Sequence, residues 1–147
     1  ALEDHGRTKV PGHGFSCHVC VLRPESHGTV RLASVDARAA PLIDPAFFSD
    51  ARDMEVKKRG VRAMYRILDT APLSNHKGRD RYPIDLSDDD ALERLIRARA
   101  DTVYHPVGTA RMGSDDAAVC DPRLRVRGVE GLLRVALDEA MPYQALV

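Results

Sequence analysis

The chain has 147 residues, and its Lys+Arg 22 against Asp+Glu 22 excludes a general electrostatic attraction to nucleic acid or to an acidic membrane surface. A hydrophobic share of 44% and a charged share of 30% fit one globular domain or a large piece of one, and exclude a disordered polypeptide. No stretch approaches the roughly 18 apolar residues of a membrane-spanning helix.

The leading residues carry neither an initiator Met nor a signal pattern, which reads as a fragment or a processed chain. Three cysteines cannot all pair, so a reducing, cytoplasmic setting is the default reading. Residues 1–14, polar with three glycines and Pro11, read as an exposed leading loop. The apolar, β-prone run 15–22 (FSCHVCVL) and the alternating run 28–34, joined by a turn holding Pro24, predict two antiparallel strands, with Gly28 at a bend or bulge. Pro41 and Pro45 exclude a helix in the next stretch, which reads as an extended loop anchored by Leu42, Ile43, Phe47 and Phe48.

Helical spacing of Met54, Val61, Met64, Tyr65 and Leu68 predicts a helix over about 50–69. Val61, Tyr65 and Leu68 should be buried on it. Lys57, Lys58 and Arg62 belong to a basic run that reads as a solvated face and should be exposed. After a polar loop over 74–84, a second helix is expected from an N-cap at Ser87, with three aspartates in its first turn. Its apolar face is Leu92, Leu95 and Ile96, and Glu93 with Arg97 form an i,i+4 pair. From Asp101 onward short apolar runs alternate with Gly and Pro, as loops and short strands, notably Leu132 to Ala136. The class is α+β, antiparallel strands with packed helices.

The most informative segment is YHPVGTARMG over 104–113. Pro106 pushes His105 toward extended backbone, and Gly108 and Gly113 allow tight turns or close approach of a ligand. A His held on such a loop suits proton exchange near neutrality. The same residue also fits a partly buried His bonded to a neighbouring carbonyl.

This segment, followed by DPRLRVRGVEGLLRV over 121–135, resembles the C-terminal domain of the glucose–methanol–choline (GMC) family of FAD-dependent oxidoreductases. The upstream block from Cys17 to Asp50, with its P-x-I-D-P loop, resembles the earlier part of the same domain. The likeness runs from about Phe15 to about Pro142. It implies domain boundaries of 15–142, with 143–147 a divergent or truncated tail, and the substrate-side domain of a flavoenzyme left incomplete. It also implies oxidation of a small alcohol to an aldehyde or ketone, the hydroxyl proton passing to His105 and hydride to flavin N5. Ala136, Leu137 and Asp138 are the positions implied beside the flavin, the family's Asp falling at Leu137. No GxGxxG follows a strand here, neither at Gly12–Gly14 nor at Gly128–Gly131. The family's N-terminal FAD-binding domain is therefore expected as a missing partner, and the second active-site Asn or His has no counterpart in the closing residues.

Cys17 and Cys20 invite a metal or redox reading, but residues i and i+3 of a strand face opposite ways, which favours small apolar fillers. Arg111 can attract a carboxylate or phosphate, or simply form a salt bridge. Asp115, Asp116 and Asp121 lack a calcium-loop spacing and read as turn residues. Met112 suits packing on a flavin ring as well as filling a gap. Few aromatics and no Trp leave no cage for a quaternary ammonium, which counts against choline as the donor. Three functions remain: part of a flavin-dependent alcohol or choline dehydrogenase-like enzyme, an inactive truncated remnant, or a small binding module that keeps the fold.

Overall fold

Helix α1 runs over Ala51–Leu68, where the apolar spacing predicts it. The computed structural model describes residues 2–3, 7–9, 11–102 and 104–130. They divide into two units, one taking in the residues up to Cys20 with Met54–Asp101, the other Val21–Asp53 with residues from Thr102 onward.

The first unit holds most of α1, a 3-10 turn at Leu73–His76, helix α2 (Asp89–Arg99), and a ribbon in which β1 (Leu2–Glu3) pairs antiparallel with β2 (Thr8–Lys9). α2 is capped by Asp88, not Ser87: Asp88 Oδ1 accepts from the Ala91 N–H at 2.8 Å, while the Ser87 hydroxyl donates to Asp85 at 2.6 Å. A carboxylate two residues back captures the serine and leaves the next acid to cap. Leu92 and Ile96 are buried as their spacing requires, and Glu93 bonds Arg97 at 2.9 Å.

The face of α1 that is covered is the expected one, with Met54 2% exposed, but its depth and its members differ from the expectation. Val61, Tyr65 and Leu68 are only half-buried and Arg62 is half-buried too, whereas Lys57 and Lys58 are each 4% exposed. The helical period and phase are right, but Lys57 and Lys58 lie on the same stripe, because polarity does not keep a lysine out when an acceptor meets it inside. Lys58 Nζ reaches Asp89 at 2.6 Å, Glu93 at 3.0 Å and Glu55 at 3.3 Å, and these partners hold its ammonium well above the ordinary value, Asp89 foremost. Arg62 completes the cluster, donating to Asp89 at 2.7 Å and to the Leu86 carbonyl at 3.0 Å. Lys57 Nζ donates to the Val19 carbonyl, and burial pulls its pKa down to about 8. The basic run is therefore not a solvated face.

In the second unit β3 (Thr29–Arg31) pairs antiparallel with β4 (Leu42–Asp44), in the register Thr29↔Asp44, Val30↔Ile43 and Arg31↔Leu42. The expected pairing of 15–22 with 28–34 does not form: residues 15–22 make no strand. Val19 instead lies against Gly60 of α1, where an added Cβ would come within 2.5 Å of Val19 Cγ1. Pro41 and Pro45 do exclude a helix, but the stretch expected as a loop holds a short strand between them, since proline is tolerated at strand ends. Gly28 is essential there, because a Cβ would stand 2.2 Å from the Asp44 carbonyl oxygen. Of the four apolar anchors expected in this stretch only Phe48 is buried; Leu42, Ile43 and Phe47 are exposed.

The unit is tied at its base by Asp53, whose carboxylate accepts from the Glu25 N–H at 2.8 Å, the Ser26 N–H at 2.9 Å and the Ser26 hydroxyl at 2.5 Å. Burial pushes this carboxyl up, but the hydrogen bonds from Ser26 and Glu25 outweigh it and the net shift is downward. Ser26 Oγ in turn accepts from the Asp50 N–H at 3.1 Å. The antiparallel ribbons and helices make the fold α+β. Among the described residues no helix is long and apolar enough to cross a membrane. The strand expected at Leu132 to Ala136 lies outside the described residues.

Candidate functional site

The His105 loop is held at both ends and open between them. At its start Thr102 Oγ1 accepts the Tyr104 N–H at 3.0 Å, and Tyr104 adopts φ +65°. That left-handed conformation is unusual for a bulky residue and requires support from its surroundings. His105 follows directly and is exposed, as are Pro106, Val107, Gly108 and Thr109. Gly108 sits at φ +92° with no atom within 4 Å of where a Cβ would be, so its backbone is open to a flat ligand.

Arg111 closes the loop. Its guanidinium clamps Asp115 bidentately at 2.8 and 2.5 Å and holds that carboxyl at about 2, and its carbonyl accepts the Val119 and Cys120 N–H groups at 3.1 and 3.3 Å. The salt-bridge reading of Arg111 therefore holds in the structure. Gly113 N–H donates to the Cys120 carbonyl at 3.0 Å, and buried Cys120 bridges Met112 on one side and Val126 on the other. Asp121 turns the chain by accepting the Arg123 and Arg125 N–H groups at 2.8 and 3.0 Å, and Asp115 does the same for Ala117 at 3.1 Å. Both aspartates are thus turn residues, as expected. Asp116 lies 3.8 Å from Arg127, and Met112 is 38% exposed.

Thr102 and Tyr104 carry no warning in the sequence, since a Thr–x–Tyr spacing is unremarkable. Asp115 as the partner of Arg111 is not announced either, because i,i+4 spacing brings charges together only on a helix and this segment forms none. Cys17 is exposed and Cys20 half-buried, neither on a strand, so the packing role expected of them is not what the structure shows. Among the described residues no group of three His, Cys, Asp or Glu side chains could hold a metal ion. Ala136, Leu137 and Asp138 lie outside the described residues.

The described residues include an open loop at His105 and no cradle suited to a dinucleotide's phosphates. The open loop at His105 and Gly108 can meet a flat ring. A pyrophosphate favours a helix N-terminus, and carboxylates there repel it; among the described residues both α-helices begin with acids, Asp50 and Asp53 at α1 and Asp88, Asp89 and Asp90 at α2.

The GMC oxidoreductase family model matches residues 24–137. The alcohol dehydrogenase [acceptor] of Pseudomonas putida is 41% identical over 142 residues, which cover 96% of this chain and 26% of that protein. The choline oxidase of Arthrobacter globiformis is 41% identical over 140 residues, 92% of this chain and 26% of the oxidase. Among solved structures, a formate oxidase of Aspergillus oryzae, studied for its FAD modification, superposes with a TM-score of 0.69 at 31% identity, covering 76% of this chain and 20% of that one. Pyridoxine 4-oxidase from Mesorbium loti gives 0.65 at 30% identity, covering 84% and 24%. The chain spans about a quarter of the length of the curated relatives it matches.

Proposed function

The chain belongs to the GMC oxidoreductase family, and on that premise we propose that it forms the substrate-side wall of an FAD-dependent alcohol oxidoreductase in which His105 takes the proton of the substrate hydroxyl. The observation that carries this reading is the loop itself: a histidine exposed to an incoming molecule, on backbone fixed at Thr102–Tyr104 on one side and at Arg111–Asp115 on the other. Oxidising an alcohol breaks an O–H and a C–H bond. The first needs a base, and neutral imidazole is one. Once protonated, the same ring is a cation that stabilises negative charge beside it. FAD, when bound, supplies the acceptor for the hydride. Ala136, Leu137 and Asp138 would line its ring, and its phosphates would be held by polypeptide outside this chain, since α1 and α2 both begin with carboxylates. The loop's part is to fix His105 against the hydroxyl, because misplacement by about 1 Å can lose on the order of 100-fold in rate.

The test is a graft in which this chain replaces the matching quarter of the Pseudomonas putida alcohol dehydrogenase. Its flavin reduction by an alcohol is followed in single turnover. His105→Ala should leave flavin bound and slow reduction by roughly 10²–10⁴-fold, the span of a lost general base. Reduction at the parent's rate would remove His105 from the chemistry; bound flavin that no alcohol reduces, even with His105 present, would mark the chain as an inactive remnant.

A further inference from the structure

We infer that the Val30–Ile43 face of the β3–β4 ribbon is a docking surface for the polypeptide that makes up the other three quarters of a full-length GMC oxidoreductase, an inference that rests on the proposed function and names that site's partner. Val30 and Ile43 are direct cross-strand partners and so share one face, exposed by 47% and 66%; Leu32, next in the alternation, is 87% exposed. The opposite face carries Thr29, Arg31 and Asp44, with Leu42 the single apolar member. The ribbon thus has one greasy side and one largely polar side, and the greasy side faces water. Exposed apolar residues also occur elsewhere, such as Val56 at 41% and Ile67 at 56% on α1, but there they are not cross-strand partners.

The ribbon is also held firmly in place. Gly28 lies against the Asp44 carbonyl, Asp44 Oδ1 accepts the Ala46 N–H at 2.9 Å, and Phe48 is buried just beyond. Two three-residue strands do not stabilise themselves in water, so a fixed ribbon with a bare apolar face is half of a packing unit.

The size of the patch selects the occupant. Three side chains fall well short of the about 800 Å² per partner that a stable free complex buries, which disfavours a second copy or an independent protein. A neighbour on the same polypeptide needs no such area, because tethering raises its effective concentration to the millimolar range. Such a neighbour is at hand: residues 24–137 contain the whole ribbon, and relatives matching this region extend to about four times its length.

Thiol labelling tests this face by face. Ile43→Cys and Leu42→Cys are made separately in the isolated chain and in the graft described above, and maleimide modification is read peptide by peptide by mass spectrometry. Both positions are exposed, so neither change threatens folding. In the graft, labelling at 43 should slow by roughly tenfold or more while labelling at 42 changes little. Equal rates at 43 in both settings would overturn the inference, as would equal slowing at 42 and 43, which would mean edge-on cover. Protection at 43 in the isolated chain, with a dimer's mass, would assign the face to a second copy. Should the graft not accumulate, the isolated chain is titrated with the refolded first three quarters of the same dehydrogenase and the two thiols are read again. Protection at 43 alongside His105-independent flavin reduction would leave the docking face standing and sink only the proposed chemistry.

Discussion

Between Met54 and Asp101 polar groups are buried and paired, whereas on the β3–β4 ribbon and the His105 loop apolar and reactive groups stand in water. In the helical region Lys58 meets three carboxylates and Lys57 a carbonyl, so even its charges are finished inside this chain. In the other region the side chains of Val30, Ile43 and His105 are exposed. The contrast separates what this polypeptide stabilises by itself from what it presents for completion. A surface meant for water would place its polar residues outward on both sides of the ribbon.

The contrast can be broken at its anchor points. The largest stability effect is expected at Asp53, which fixes the base of the ribbon-bearing unit. Asp53→Ala strands two N–H groups and a hydroxyl and should lower stability by about 3–4 kcal/mol in urea unfolding. Because the folded Asp53 carboxyl lies below its unfolded value, its contribution is present above the unfolded pKa and disappears as pH falls through the folded one; Asp53→Asn should flatten that acid limb. Gly28→Ala comes next. A methyl group 2.2 Å from a backbone oxygen has nowhere to go, and a loss of about 2–3 kcal/mol is expected together with loss of the β3–β4 ribbon's amide protection.

In the helical region the expected effects are smaller. Lys57 titrates at about 8 when folded, below its unfolded value of about 10.4, so over that interval the unfolded chain binds more protons and stability should rise with pH. Lys57→Met should remove that rise between about pH 8 and 9.5, read as urea midpoints of the two chains side by side. Gly60→Ala should cost about 1–2 kcal/mol, since the new Cβ would come 2.5 Å from a methyl of Val19, whose β-branched side chain is stiff, and alanine's helix propensity offsets only part of that.

How much of this is legible in the sequence follows the range of the interaction. α1, the Glu93–Arg97 pair and the aspartate turns are local and readable from spacing, whereas a salt bridge for Arg111 is readable without its partner Asp115. The motif singles out His105, and the structure places it exposed on its loop. The burial of Lys58 was not, because its partners Asp89 and Glu93 lie on another helix and nothing near residue 58 announces them. The β3–β4 pairing was hidden by two prolines that mark strand ends instead of a loop. Asp53 with Ser26, 27 residues apart, leaves no local trace at all.

Flavin binding by the isolated chain tests the central claim most directly, namely that His105 stands on one wall of a pocket whose cofactor cradle lies elsewhere. FAD is titrated with purified chain at micromolar concentration and its fluorescence followed, with an alcohol and a redox dye added afterwards. No saturable change in flavin fluorescence and no dye reduction are expected, because among the described residues both α-helix N-termini carry aspartates. Stoichiometric flavin binding followed by alcohol-dependent dye reduction from this chain alone would contradict it.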